Sequence, residues 1–303
     1  MRYQFIQTEK AHYPVTLLCQ VLQVSRSGYY DWQGRSPSRH VLEDQRLLVK
    51  IRAIHKASRE TYGLPRVHID LQADGETCGK HRSARIMRDN DIKARTQRKF
   101  KATTNSKHNY PVAENILDRQ FTATVPNQRW VSDITYIDTT EGWLYLAVVL
   151  DLYSRAIVGW AMDRRMTRQL VADALIMALW RRGKVTGLLL HFDRGSQYAS
   201  DDYQKLLKSN DITCSMSRKG NCYDNAAMES FFGPLKQELV HHEHYATREQ
   251  AKASIFEYIE VFYNQQRRHS AINYLAPMVF EQQRALAKPV SVKTGEDHLI
   301  LLV

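Results

Sequence analysis

From Trp130 onward the chain alternates between short apolar runs and amphipathic stretches in a way that few architectures satisfy. Three runs come first: WVSDITYI (130–137), WLYLAVVLDLYS (143–154) and AIVGWAMD (156–163). They are rich in β-branched and aromatic residues, and the links between them are turn-like, TTEG and then a tight Ser-Arg pair. They are expected to form an antiparallel meander. Thr167 then caps a helix, TRQLVADALIMALWRR, with Leu170, Ala174, Met177 and Ala178 spaced for burial. GLLLHFD (187–193) returns as a strand, SDDYQKLLKSN as a helix, ITCSMS as a short strand and NAAMESFFGPLKQELV as a helix with an interruption expected near Gly233-Pro234. Thr247 opens a last long helix, TREQAKASIFEYIEVFYNQQRRH, with Ile255, Tyr258, Ile259 and Phe262 facing inward. Hairpin strands followed by alternating helix and strand predict an α/β fold, a mixed five-stranded sheet with helices on both faces.

Three carboxylates stand out against this pattern. Asp133 lies within the first strand, Asp193 ends the run LLLHFD, and Glu229 lies in a helical segment with 35 residues between it and Asp193. Carboxylates gathered in one place raise one another's pKa unless cations neutralise them. Two Mg²⁺ ions, about 3.5–4 Å apart, relieve that repulsion and clamp the attacking and leaving oxygens of a phosphoryl transfer. On the central strand, Asp133 is the candidate to bridge both ions, with Asp193 and Glu229 completing the shells. Lys236 follows Glu229 by seven residues, about two helical turns, so an undisturbed helix puts both on one face and its ammonium near bound DNA. Other aspartates, at positions 138, 151, 163, 201 and 202, fall at strand ends or helix starts, where capping and turns account for them.

The N-terminal third has a different character. Residues 1–110 carry 21 Lys+Arg against 10 Asp+Glu and the rest of the chain 22 against 22, so the whole net charge of +11 belongs to that third. A polyanionic partner is the natural reading. Tyr13 to Trp32 reads helix–turn–helix, with Val15, Leu18, Cys19 and Leu22 on one face and Ser25 as a cap. The pattern fits a packing hairpin as well as one that touches DNA. A third helix carries Leu47, Ile51 and Ile54, and a second helix–turn–helix candidate follows, with Pro65 in a first turn and Ile86 and Met87 on the later helix. Lys80, Arg82, Arg85, Arg88 and Lys93 surround that later helix and, with RTQRKFK behind them, form a candidate phosphate-binding stripe. A charge run on a helix is usually just a solvated face, but the repetition here, followed by RTQRKFK, favours DNA binding. The division expected is a helical DNA-binding region over 1–100, a polar linker over 101–126, a catalytic core with its C-terminal helix over 127–285, and a tail over 286–303.

Several chemistries find no support. The four cysteines are scattered without a CxxC pair, which reads as reduced thiols. No GxxxxGK[ST] is present, and Ser132 and Ser196 lack evident His/Asp partners. The HHxH run at 241–244 has no second ligand group at zinc spacing and reads as a solvated helix end. No apolar run reaches the roughly 18 residues a membrane span needs, and the N-terminus lacks an apolar signal core, so a cytoplasmic protein without a membrane partner is expected.

Taken together, VSRSGYYDW, YGLPRVH, WVSDITYI, DRGSQY, GNCYDNAAMESFF and YNQQRRHSAINYLAP resemble the OrfB-type transposases of the insertion-sequence-3 family, whose catalytic core is shared with retroviral integrases. The resemblance covers nearly the whole chain and matches Asp133, Asp193 and Glu229 to the family's three acidic positions. It implies an RNase H-like core, two Mg²⁺ ions (or Mn²⁺ in their place), and strand cleavage followed by attack of a 3′-OH on a phosphodiester. It also implies action as a homo-oligomer on DNA, element ends and target, in a bacterial nucleoid. The upstream OrfA helix–turn–helix/leucine-zipper product is an implied fusion or partner. A hydrolysis-only nuclease of the same fold and a non-catalytic DNA-binding regulator are the alternatives. One local departure is Phe192, which occupies a position usually small and polar in the family and is expected to alter packing beside Asp193.

Overall fold

The computed structural model describes residues 1–95, 113–218 and 222–287. The segments expected as the first part of the linker and as the tail from residue 288 lie outside them, as does most of the basic run RTQRKFK.

Six helices make up the first 95 residues. Helices α1 (Arg2–Glu9), α2 (Val15–Val21) and α3 (Arg26–Gly34) close on a small core of Ile6, Leu18, Cys19 and Tyr29. Ser25 caps α3, its hydroxyl accepting from Gly28 N at 3.0 Å. Helices α4 (Arg39–Ala57), α5 (Leu64–Ala73) and α6 (Lys80–Asp89) enclose a second core of Leu47, Ile51, Val67, Leu71, Ile86 and Met87. On α5 the i, i+4 pair Val67–Leu71 takes the inward stripe, and Ile69 between them is only half-buried.

The remainder is a five-stranded sheet in the order β3-β2-β1-β4-β5. Strands β1 (Arg129–Ile137), β2 (Leu144–Asp151) and β3 (Ile157–Asp163) form the antiparallel meander, and β4 (Leu189–Phe192) and β5 (Thr213–Met216) add in parallel on the other side of β1. Between them, α7 (Arg168–Arg182) and α8 (Asp201–Ser209) cover one face; α9 (Ala226–Glu238) and α10 (Arg248–Glu257) cover the other. Residues alternate accordingly: Trp130 points to the α7 side and Val131 to the α9 side. Helix α11 (Pro277–Leu286) is the last described element, and Glu281 on it pairs with Arg182 of α7. Among the described residues no helix is long and apolar enough to cross a membrane.

Three expectations need correction. The helix through Gly233-Pro234 is not interrupted; α9 is continuous from Ala226 to Glu238. A proline inside a helix costs about 3 kcal/mol. Burial of Phe231, Phe232 and Leu235, at about 1.5–3 kcal/mol each, outweighs it. The last long helix does not reach His269: α10 ends at Glu257, widens into a π-turn over Tyr258–Tyr263, and the chain then leaves the helix. There Asn264 hydrogen-bonds both backbone groups of Ile157 on β3, at 2.9 and 3.0 Å, which turns the chain onto the sheet edge. Finally, the stretch read as the end of a linker is anchored from Ala113. Ile116 and Leu117 donate their N–H groups to Ser215 Oγ, and the Leu117 side chain is buried in the core.

Candidate active site

Strands β1 and β4 are parallel, with Val131 opposite His191. Parallel neighbours keep step, so continuing that register by two residues places Asp133 beside Asp193, just past the carboxyl end of β4. Strand β4 stops at Phe192 while β1 runs on to Ile137, which opens a cleft where ligands of open α/β sheets bind. Glu229 reaches this cleft from the first turn of α9 and is exposed.

The electrostatics register the approach. Burial pushes the Asp133 carboxyl up to about 8, the charge of Asp193 adds to the rise, and Glu229 contributes a smaller push in the same direction. Two hydrogen bonds oppose it: Asp133 Oδ1 accepts from Ile134 N at 2.7 Å, and Oδ2 accepts from Asn225 Nδ2 at 2.6 Å. Asn225 Oδ1, also buried, has no donor among the described residues. A carboxylate held above its ordinary range next to an undonated amide oxygen suits a hard cation or its water. The donor chemistry therefore fits Mg²⁺. The three acidic groups are nevertheless not gathered to ligating distance: no set of three His, Cys, Asp or Glu among the described residues could hold a metal ion as placed.

Asp193 is held by its own turn. Its Oδ1 accepts from Gly195 N at 2.8 Å, and a Cβ at residue 195 would stand 2.9 Å from that oxygen, so only glycine leaves the turn undisturbed. Lys236, expected to reach toward DNA, is buried on α9 with its ammonium 4.9 Å from the centre of the Tyr136 ring. Burial lowers its pKa, and the charge of Asp133 offsets part of the loss. The residue borders a pocket with Tyr136, Asp138, Trp143 and Tyr245, which none of the three acidic residues lines. Phe192 leaves the acidic cleft alone, since it stacks on Tyr198 at 4.6 Å in the opposite core. Tyr198 in turn hydrogen-bonds Ser132 at 3.0 Å, so the aromatic pair stiffens the strands that carry both aspartates.

Sequence reasoning passed over four residues here. Asn225 precedes Glu229 by one helical turn, a spacing that was a readable signal. Asp224 is buried and accepts from Asn115 Nδ2 at 2.9 Å, Arg119 Nε at 3.2 Å and Arg218 N at 2.9 Å. Burial works against its ionisation, but the Arg218 backbone and the two arginines hold its carboxyl below the usual range. His191 on β4 and Ser215 on β5 are paired neighbours in the sheet, with His191 Nδ1 2.9 Å from Ser215 Oγ and Nε2 3.2 Å from Ser217 Oγ. Nothing local in the sequence marks these two.

The basic residues of the helical region do not join the acidic cleft. Arg82 Nε and Arg85 Nη2 bind the two oxygens of Asp44 on α4 at 2.7 and 2.5 Å, and Arg82 also meets Glu43 at 3.3 Å. Two of the stripe's cations thereby help to fasten α6 to α4. Arg88 and Lys93 are exposed and adjoin Asp89 and Asp91 at 3.4 and 2.5 Å, while Lys80 is exposed at the start of α6.

Two models of the integrase core domain match residues 123–222 and 229–285, and a model of an HTH-like domain matches residues 42–100. The transposase InsF for insertion sequence IS3A of Escherichia coli (strain K12) is 45% identical over 93% of this chain and 99% of that protein. The chain belongs to the IS3-family transposases. Another relative of this transposase, the insertion element IS600 uncharacterized 31 kDa protein of Shigella sonnei, is 48% identical over 88% of this chain and 98% of its own. Among solved structures, the HTLV-2 integrase catalytic core domain in complex with magnesium matches 52% of this chain and 98% of that one, with 18% identity and a TM-score of 0.41.

Proposed function

We propose that this transposase cuts and joins the ends of its insertion sequence by direct transesterification, with Asp133, Asp193 and Glu229 as its catalytic, metal-holding residues. The observation that carries the reading is the parallel register of β1 and β4, which sets Asp133 beside Asp193; burial and the charges of Asp193 and Glu229 raise the Asp133 pKa accordingly. Divalent cations held there, Mg²⁺ or Mn²⁺, would neutralise the acidic cleft and supply Lewis acidity to the phosphodiester oxygens. The chain's own residues do the positioning. Asn225 fixes one Asp133 oxygen and the Gly195 N–H fixes one Asp193 oxygen, while α9 carries both Glu229 and Lys236. Lys236 balances negative charge beside Asp133 and stands near the path of a bound strand. The excess positive charge of residues 1–110 supports the helical region as the part that grips DNA, with Lys80, Arg88 and Lys93 the exposed contributors. The same reading has the protein acting in the cytoplasm on nucleoid DNA as a homo-oligomer, with the upstream OrfA product as fusion or partner.

The test is incubation of the protein with Mg²⁺, end-labelled element-end DNA and an unlabelled target. Cleaved ends and joined products are expected from the parent protein, and neither from Asp133→Asn or Glu229→Gln. Joining that survives Glu229→Gln would refute the assignment, and cleavage without joined product would assign a hydrolytic nuclease instead.

A further inference from the structure

Arg267 and Arg268 are consecutive in the chain and hold different parts of the molecule. Arg267 points inward. Its Nε lies 3.0 and 2.8 Å from the two carboxyl oxygens of Glu238, and its Nη2 lies 2.7 Å from Oε1. Tyr258 donates its hydroxyl to the same carboxylate at 2.7 Å. Both charged side chains are more than nine-tenths buried, so the pair holds only while its geometry is kept. Glu238 is the last residue of α9, the helix whose first turn carries Glu229. Arg267 thus grips the far end of a rod about 20 Å long whose near end lies at the acidic cleft.

Arg268 points to the helical region. Its side chain pairs with Asp70 on α5, and its backbone N–H donates to the hydroxyl of Tyr62 at 2.7 Å. A second arginine reinforces the seam from the other side: Arg59 bonds Glu257 at 2.7 Å and lies 5.2 Å from the centre of the Phe262 ring. The helical region is therefore docked on the same short segment that clamps α9.

We propose that the Arg267–Arg268 pair is a positioning device that fixes the helical region relative to α9 and so sets the nucleotide at which the bound strand is cut. The first half of the proposal stands on packing alone; the second rests on the strand-cleavage reading above. Two adjacent residues of one backbone cannot move independently by much, so any displacement of α5 passes through Arg268 to Arg267 and on to α9. Neither arginine need touch DNA for this to act.

The experiment uses the full chain carrying Tyr62→Phe/Arg268→Ala, which removes the Asp70 pairing and the Tyr62 hydroxyl while keeping the aromatic ring, with Arg268→Lys as the conservative control. Spin labels introduced as unnatural amino acids at the exposed positions 49 on α4 and 180 on α7 report the separation of the two parts. A single narrow distance is expected in the parent, a broad distribution in the double variant and recovery of the narrow one in Arg268→Lys. On element-end DNA the cut is expected to spread over neighbouring nucleotides, with joining at the native position down about tenfold or more, since a misplacement of about 1 Å suffices for such losses. Affinity for the end should stay within about threefold, because no phosphate contact is removed. An unchanged distance distribution with a single unchanged cut would overturn the proposal. Were the parent to cut no DNA at all, the strand-cleavage reading would fail, and the distance measurement would still decide the positioning claim.

Discussion

His191 offers a quantitative test of the ground beneath the candidate active site. It is 1% exposed, between Ser215 and Ser217. Ser215 Oγ already accepts two backbone N–H groups, from Ile116 and Leu117, so its proton is directed to His191 Nδ1. Nε2 then carries the imidazole proton and gives it to Ser217 Oγ, whose own proton goes to the Phe192 carbonyl at 3.3 Å. A second proton on the ring would face a hydroxyl that has no lone pair to offer. Burial accordingly lowers the pKa from 6.5 to about 4, against a smaller opposing pull from Asp224. The sign follows from linkage: unfolded chains take up the proton near pH 6.5 while folded ones resist until about 4, so stability is lost as pH falls through that window. At pH 4.5 the loss amounts to about 2.5 kcal/mol, out of about 3 kcal/mol when complete. Asp133 contributes with the opposite sign in metal-free protein, because its raised pKa favours the folded state as pH falls from about 8. The assay is therefore differential: urea unfolding of the parent and of His191→Gln, each at pH 7.5 and 4.5 without metal. The parent should lose about 2.5 kcal/mol more than the variant between the two pH values. Equal losses in the two proteins would show that His191 is not held neutral and that the hydrogen-bond chain is wrongly assigned.

Three other perturbations follow from particular contacts. Asn225→Ala removes the amide that holds Asp133 Oδ2 and should raise the Mg²⁺ concentration for half-maximal strand cleavage by about tenfold or more, read from a metal titration. Glu238→Ala leaves the Arg267 guanidinium buried without its carboxylate and should cost about 3–5 kcal/mol in urea unfolding. Gly159→Ala puts a Cβ 2.1 Å from the Ala174 carbonyl oxygen and 2.7 Å from Ala178 N, forcing α7 off β3. A cost of about 1–3 kcal/mol, seen as a lower Tm, is expected, and an unchanged Tm would mean that α7 packs less closely than described.

The amino-acid sequence by itself determined the five strands, their hairpin or crossover connections and the caps at Ser25 and Thr167. These depend on periodicity and on bonds spanning three or four residues. It also singled out Asp133 inside one apolar strand, Asp193 at the end of another and Glu229 in a helix, through their combination and the 35-residue gap, not through any one of them. Tertiary structure decided the rest wherever the partner lies far along the chain. Pro234 stays inside α9 because the sheet buries the aromatic residues around it. The helix after Thr247 stops short of His269 because Asn264 finds Ile157, 107 residues away. Arg82 and Arg85 look like a free basic stripe until α4 brings Asp44 to them. Arg267 and Arg268 read as one more pair of cations in YNQQRRH, yet the folded chain gives one to α9 and the other to the helical region. Periodicity places a side chain on a face, whereas only the folded chain settles which opposite charge, or how much water, that face meets.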